Sequence, residues 1–403
     1  MNDTYPAPPA AGGRQLKPFQ VARPLNIVIL GLSITSSWGN GHATTYRALV
    51  RALVQRGHRV LFLERNMPWY AENRDLPNPP YGCTELYTDL DELKTRFEGP
   101  VATADLVIVG SYVPDGVAAG DWVLATAMGV PAFYDIDTPI TLSKLEHGDY
   151  EYLAPHQIGR YALYLSFAGG RVLEQLEQVY HSPAARPLYC AVDPDLYYPE
   201  RHDLQWDLGY MGTYSPDRQP GLDRLLLEPA RQLHERHFVV AGPNFPLVES
   251  WPGNVKHFTH LAPDRHRAFY NEQRFTLNLT RAAMAAVGFS PSVRLFEAGA
   301  CGVPIISDTW EGLDTFFAPG EEILVAASPA DVTEMIQDIP ETQRAAIGAR
   351  ARAAVLARHT AAHRALELES YVAEVGVSVA QAGQVTAAPA TSTAAARAHE
   401  RGF

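Results

Sequence analysis

Short, nearly unbroken apolar runs alternate with stretches of helical period along most of this chain. Leu25–Leu32 (LNIVILGL) is the first such run, the pattern of a strand covered on both faces. The loop Ser33–Gly41 (SITSSWGNG) follows. From His42 or Ala43 to about Arg56, Tyr46, Leu49, Val50, Leu53 and Val54 fall on one helical stripe, and Gly57 ends it. Val60–Leu63 is the second strand. Strand, loop, helix and strand in this order predict a parallel sheet.

The alternation continues with strands at Asp105–Gly110, Val130–Asp135, Tyr161–Phe167 and Arg186–Cys190. Helices are expected at Asp121–Met128 and from Gly170 to about Tyr180. Residues 191–205 hold two prolines and little periodicity, and read as a linker. The pattern then restarts, with strands at Asp207–Met211, His237–Ala241, Asn254–Phe258, Phe275–Leu279, Val303–Ser307 and Ile323–Ala326. Helices fall at Leu222–Arg236, His266–Glu272 and Pro291 to about Cys301, the last capped by Ser290 and closed by Gly302 and Pro304. Asp331–Val375 is helical with a break near Pro340. The expected organisation is a disordered tail (1–24), a first α/β domain (25–190), the linker (191–205) and a second α/β domain (206–360). A helix that crosses back (361–376) and a disordered Ala/Thr/Ser/Gln-rich tail (377–403) complete it. The fold class is α/β, with two doubly wound Rossmann-like domains facing across a cleft.

Composition narrows the partners. The chain has 403 residues, enough for two domains. Lys plus Arg is 33 and Asp plus Glu is 45, so 33 − 45 gives a charge of −12. That balance argues against tracking a nucleic-acid backbone or an anionic membrane surface. Three widely spaced cysteines, Cys83, Cys190 and Cys301, indicate neither a disulfide framework nor a zinc site. With no secretory leader and no membrane-spanning apolar run expected, the reading is a cytoplasmic protein.

The chemistry gathers at expected strand ends. Gly39-Asn40-Gly41-His42 opens the first helix, where glycines let a ligand approach and His42 is a candidate base or phosphate contact. Asp135 and Asp137 close a strand beside Thr138, as acids that can orient a hydroxyl or take its proton. Gly212, Thr213, Ser215 and Arg218 follow the second half's first strand, and Arg281 follows its fourth. Both arginines are phosphate candidates. On the helix after Pro291, Ser290, Arg294, Glu297 and Cys301 share one face, and Ser292 lies near its start. A nucleoside diphosphate along that helix would use its positive N-terminus and place a ribose diol on Glu297. An ordinary Arg294–Glu297 pair is the alternative. Gly39, Gly41 and Glu64 also imitate a dinucleotide fingerprint, but Thr44 stands where the third glycine belongs and the loop is too long. There is no P-loop, nucleophile-elbow or zincin motif.

Phe296-Glu-Ala-Gly-Ala-Cys-Gly-Val-Pro304 resembles the donor-site helix of two-domain, GT-B-type glycosyltransferases. The stretches Gly31–Arg47, Phe133–Pro139, Asp207–Pro220 and Ser290–Asp314 more narrowly resemble the CgeB-like, or spore-maturation, glycosyltransferases. The resemblance spans roughly residues 25–330. It implies a nucleotide-diphosphate sugar as donor, held mainly by the second domain, and an acceptor (glycan, small molecule or protein) on the first. Gly212, Thr213, Arg218, Arg281, Ser292, Arg294 and Glu297 would bind the donor. Glu297 would take the ribose, and Arg218 and Arg281 the diphosphate. His42 or Asp137 would be the base, with Gly39, Asn40, Gly41 and Asp135 lining the acceptor side. No metal and no further cofactor is implied. Many such enzymes carry two glutamates as E-x7-E, and here the earlier position is Phe289. The competing readings are a non-catalytic nucleotide-sugar-binding protein of a polysaccharide or coat assembly and an NAD(P)-dependent oxidoreductase.

Overall fold

A computed structural model of the chain describes residues 23–39 and 41–385. The first sheet contains β1 (Asn26–Gly31), β2 (Arg59–Arg65), β3 (Cys83–Tyr87), β4 (Leu106–Gly110), β5 (Val130–Asp135), β6 (Leu163–Ser166) and β7 (Ala185–Pro187). The second contains β8 (Trp206–Met211), β9 (Phe238–Ala241), β10 (Val255–Phe258), β11 (Gln273–Asn278), β12 (Ile305–Ser307) and β13 (Leu324–Val325). Their orders are β3-β2-β1-β4-β5-β6-β7 and β10-β9-β8-β11-β12-β13. All pairings are parallel, with Ile29 opposite Ile108 at the centre of the first sheet and Leu208 opposite Phe275 in the second. Each chain half reverses direction beside its first strand, between β1 and β4 and between β8 and β11. Crevices that can hold a ligand open at such points.

Both faces of the first sheet are covered, which explains its unbroken apolar strands. Ile29, Phe62 and Leu163 pack with Tyr46 and Leu53 of the helix His42–Gln55 on one face. Val28, Val107 and Phe133 pack with Leu93 and Leu176 on the other. In the second domain, Phe238, Phe275 and Ile306 share a core with Leu225 and Leu226.

Several expected boundaries shift. The strand β3 and the helix Leu90–Thr103 lie where no element was expected. Strand β3 is at the sheet's edge and only Tyr87 of it is buried, so its apolar signal is weak. The helix expected at Asp121–Met128 runs over Gly116–Thr126. The expected helix Leu222–Arg236 is interrupted by a π-helical turn, Asp223–Leu227, before Glu228–Gln232. Pro229 offers no N–H to the turn before it, which removes one helical bond and favours the wider turn. The helix expected from Pro291 begins at Val293, with Ser292 in the cap position. The last strand of the first half is Ala185–Pro187 rather than Arg186–Cys190.

The final helix, Ala361–Val385, leaves the second domain and packs on the first. Its Ala365, Leu368, Val372 and Val375 join the core beneath β1 and β5. Glu369 pairs with Arg56 and His58, and Arg186 pairs with Glu374. The helix continues through 377–385, a stretch expected to be irregular, because its alanines and glutamines favour helix. Most of the tails expected to be disordered, residues 1–22 and 386–403, lies outside the described residues. Among the described residues no helix is long and apolar enough to cross a membrane.

Candidate active site in the interdomain cleft

On the second domain, the edge of the sheet gathers positive charge. Arg294 projects from the helix Val293–Ala300, donates from Nε to the Met211 carbonyl (2.5 Å) and from Nη1 to Asn278 Oδ1 (2.9 Å). Its guanidinium lies over the Tyr210 ring at 4.8 Å, and the residue is 7% exposed. Ser292 Oγ also donates to Asn278 Oδ1 (2.8 Å), so it does not cap the helix. Gly212 lets the guanidinium lie close to the backbone, since a Cβ would stand 2.8 Å from Arg294 Nη2.

Arg218 bends back to the Thr213 carbonyl (2.6 Å), while its buried Nε has no partner. Burial depresses its pKa, and Arg294 and Arg281 add to the effect. Arg281 stands at the end of β11 as the cap residue of the helix Ala282–Val287, and its Nε is likewise buried without a partner. Three guanidiniums, two of them with a buried Nε that has no partner, make a site suited to an anion.

Across the cleft stands Asp137. Its Oδ2 accepts from Tyr112 OH (3.2 Å) and pairs with Arg281 Nη1 (3.4 Å), while Oδ1 is buried without a partner. Burial raises its pKa, opposed by Arg281, the Tyr112 hydrogen bond and Arg218. His42 packs edge-on against Tyr112, with ring centroids 5.4 Å apart. Burial lowers its pKa to about 4, so the imidazole is neutral near pH 7 and is no cationic phosphate contact. Gly39 has φ 66, which suits glycine, and Gly41 caps the first helix. Asn40 lies outside the described residues.

Two expected site residues have other neighbours than their spacing suggested. Asp135 is fully buried beneath the cleft and accepts from Tyr164 OH (2.6 Å), Thr141 Oγ1 (2.8 Å) and the Asp137 amide (3.2 Å). Burial raises its pKa to about 6. The chain leaves β5 at Asp135 and turns through Asp137 into the helix Thr138–Glu146, which sends only the second acid into the cleft. Glu297 turns away from Arg294 and accepts from Tyr270 OH (2.9 Å). It lines a cavity of about 670 Å3 between the domains, with Thr44, Arg47, Tyr197 and Arg267.

Glu64, the acid of the dinucleotide alternative, is spent on the loop before the first helix. It accepts from the Ile34 and Thr35 amides (2.7 and 3.0 Å) and from Thr35 Oγ1 (2.6 Å). These bonds occupy the oxygens that a ribose diol would need.

Sequence reasoning passed over Tyr112, Asn278 and the bridging part of Phe289. Tyr112 had one signal, its place two residues after a fully buried strand. Phe289 adopts φ 45, donates its amide to the Glu311 carbonyl (2.7 Å) and accepts from the Gly169 amide (2.9 Å). It thereby joins the two domains.

Residues 218–370 match the family model described as glycosyl transferase-like. Sucrose-phosphate synthase from Thermosynechococcus elongatus shares the architecture with TM-score 0.62 at 14% identity, over 89% of this chain and 99% of that one. The fold is GT-B. Anabaena Alr3699/HepE, solved with UDP and glucose, has TM-score 0.62 at 13% identity over 89% and 99% of the two chains. An α-glucosyltransferase solved with UDP and a 13-mer DNA has TM-score 0.63 at 10% identity over 87% and 100%. No curated protein matches the chain in sequence. In this GT-B frame the arginine cluster lies on the second domain and His42, Tyr112 and Asp137 on the first. Among the described residues no cluster of His, Cys, Asp or Glu is arranged to hold a metal ion.

Proposed function

We propose that the protein is a glycosyltransferase that moves a sugar from a UDP-sugar to a hydroxyl-bearing acceptor. The observation that carries this reading is the convergence of Arg218 and Arg281 on the cleft opposite Asp137. The neighbours solved with UDP support the choice of nucleotide. The sugar C1–O bond to the diphosphate breaks, and its electron pair leaves on the diphosphate. Arg218, Arg281 and the start of the helix Val293–Ala300 offset that charge without a metal. The acceptor oxygen bonds to C1, and its proton passes to Asp137. Asp137 is preferred to His42 as base because burial weakens the imidazole and strengthens the carboxylate as a proton acceptor. Glu297 takes the ribose, exchanging its tyrosine partner for the diol.

Thermal-shift titrations with UDP, GDP, UDP-glucose and NADH test this. UDP at 100 times its dissociation constant should stabilise the protein by about 2.7 kcal/mol, with no shift from NADH. Arg218→Ala and Glu297→Ala should each weaken UDP at least tenfold, about 1.4 kcal/mol. Unchanged UDP affinity in both variants sinks the site. UDP binding with no turnover of UDP-glucose, even to water, would instead identify a binding protein.

A further inference from the structure

Tyr112 lies outside every motif the sequence offers, yet it joins the cleft's acid–base groups. It stands two residues after β4, in the left-handed backbone region at φ 62, where glycine or asparagine is the usual occupant. Its ring meets His42 on one side at 5.4 Å and Tyr152 at 4.5 Å. Tyr152 OH is anchored to Thr141 Oγ1 (2.8 Å), which donates to the buried Asp135 (2.8 Å). The Tyr112 hydroxyl donates to Asp137 Oδ2 (3.2 Å).

Asp137 Oδ2 has a second partner of a different kind. Arg281 reaches it from the other domain at 3.4 Å. Tyr112 and Asp137 follow neighbouring strands, β4 and β5, which pair through Gly110 and Tyr134. Their contact therefore persists whatever the cleft does. Arg281 belongs to the second domain, its Nε is unused and its Nη1 contact with Asp137 is long at 3.4 Å, so a diphosphate beside it would draw the guanidinium away from Asp137. When the anion wins, Asp137 keeps only its tyrosine.

We propose that Tyr112 is a positioning residue, whose hydroxyl holds the Asp137 carboxylate aimed and ionised once Arg281 has turned to the donor diphosphate. This rests on the reading of Asp137 as the proton acceptor. The charged and titratable groups around that carboxylate are Tyr112 after β4, Arg281 at the end of β11, Arg218 after β8 and Asp135 at the end of β5. His42 of the first helix lies behind Tyr112. A hydroxyl donating to a carboxylate favours its charged form, so removing it must raise the carboxyl pKa.

The test is Tyr112→Phe, which keeps the ring between His42 and Tyr152. Carbon-13 carboxyl NMR should show the Asp137 titration midpoint moving to higher pH in the variant, without ligand and more strongly with UDP. In hydrolysis of UDP-glucose by water, kcat should fall about tenfold, the scale of one hydrogen bond to a charged group, with KM unchanged. The acidic limb of the pH profile should move the same way as the NMR midpoint. Superimposable Asp137 titrations, or a lower kcat with an unmoved acidic limb, overturn the proposal. A circular-dichroism melt matching the wild type shows that the variant is folded. If the wild type binds no UDP, the glycosyl-transfer reading falls, while the ligand-free titration still decides whether Tyr112 controls Asp137.

Discussion

Asp135 and Asp137 are two residues apart and have different surroundings. Asp137 has a tyrosine and an arginine from opposite sides of a cleft. Asp135 has three hydrogen-bond donors and is fully buried. Its pKa is raised from an ordinary 3.8 to about 6 by burial, so the folded state holds its proton more tightly than the unfolded chain. Stability from this group is therefore full below the unfolded value and is lost as pH rises through the folded one. Urea unfolding should show the wild type losing stability between about pH 4 and pH 6 relative to Asp135→Asn. Parallel pH dependence in the two proteins would show that Asp135 does not titrate in that window. The residue pattern Asp-x-Asp named both acids as cleft candidates. Only the turn after β5 separates them, and that turn depends on Ser111 Oγ accepting from the Ile136 amide (3.1 Å). Arg294 makes the same point from the other domain. Its spacing suggested a partner in Glu297, but the nearest acceptors are Met211 and Asn278, contributed by β8 and β11.

Among the elements, the helix Ala361–Val385 has the widest reach. Its stripe of Ala365, Leu368, Val372 and Val375 repeats at helical spacing, so its amphipathic character is readable in the sequence. Which sheet it covers is not, because both sheets expose apolar faces of the same kind. Leu368 is 1% exposed within the first domain's core. Leu368→Ala should destabilise the protein by roughly 2–5 kcal/mol through the cavity it leaves. Chemical denaturation monitored by circular dichroism would check this, and a loss below about 0.5 kcal/mol, the scale of a neutral surface change, would show that the helix is not seated there. The π turn at Asp223–Leu227 shows the opposite limit. Pro229 is visible in the sequence, but whether it ends, kinks or widens a helix depends on how well Leu225, Leu226 and Leu227 stay buried.

At the scale of the whole molecule, the two domains meet through specific contacts beside the cleft. Phe289 bridges them through the Gly169 amide and packs over Gly170 and Gly312, where an added Cβ would lie 2.6 and 2.4 Å from its ring. Gly170 also has φ 61. Gly170→Ala should therefore push Phe289 aside and open the cleft, at a cost of roughly 1–3 kcal/mol from the backbone alone. Small-angle scattering should report a larger radius of gyration, and an unchanged radius would show that Phe289 does not set the domain spacing. The E-x7-E pattern of the enzymes this sequence resembles would put a glutamate where this chain has Phe289. The structure gives that position a packing contact between domains, and no acidic group stands there.

The sequence by itself determined the two parallel α/β halves, because unbroken apolar runs alternating with helical stripes can bury both strand faces in no simpler way. It also placed Arg218, Arg281 and Asp137 at strand ends, where doubly wound sheets open their crevices. Tertiary structure alone decided which of the candidates meet. Tyr112, Asp137 and Arg281 come from loops after three different strands in two domains. Their approach depends on how far each chain turns after its strand and on what is buried beneath it. Those rotations come from packing and from the pairing of buried polar groups over long range, which neither residue type nor spacing encodes locally.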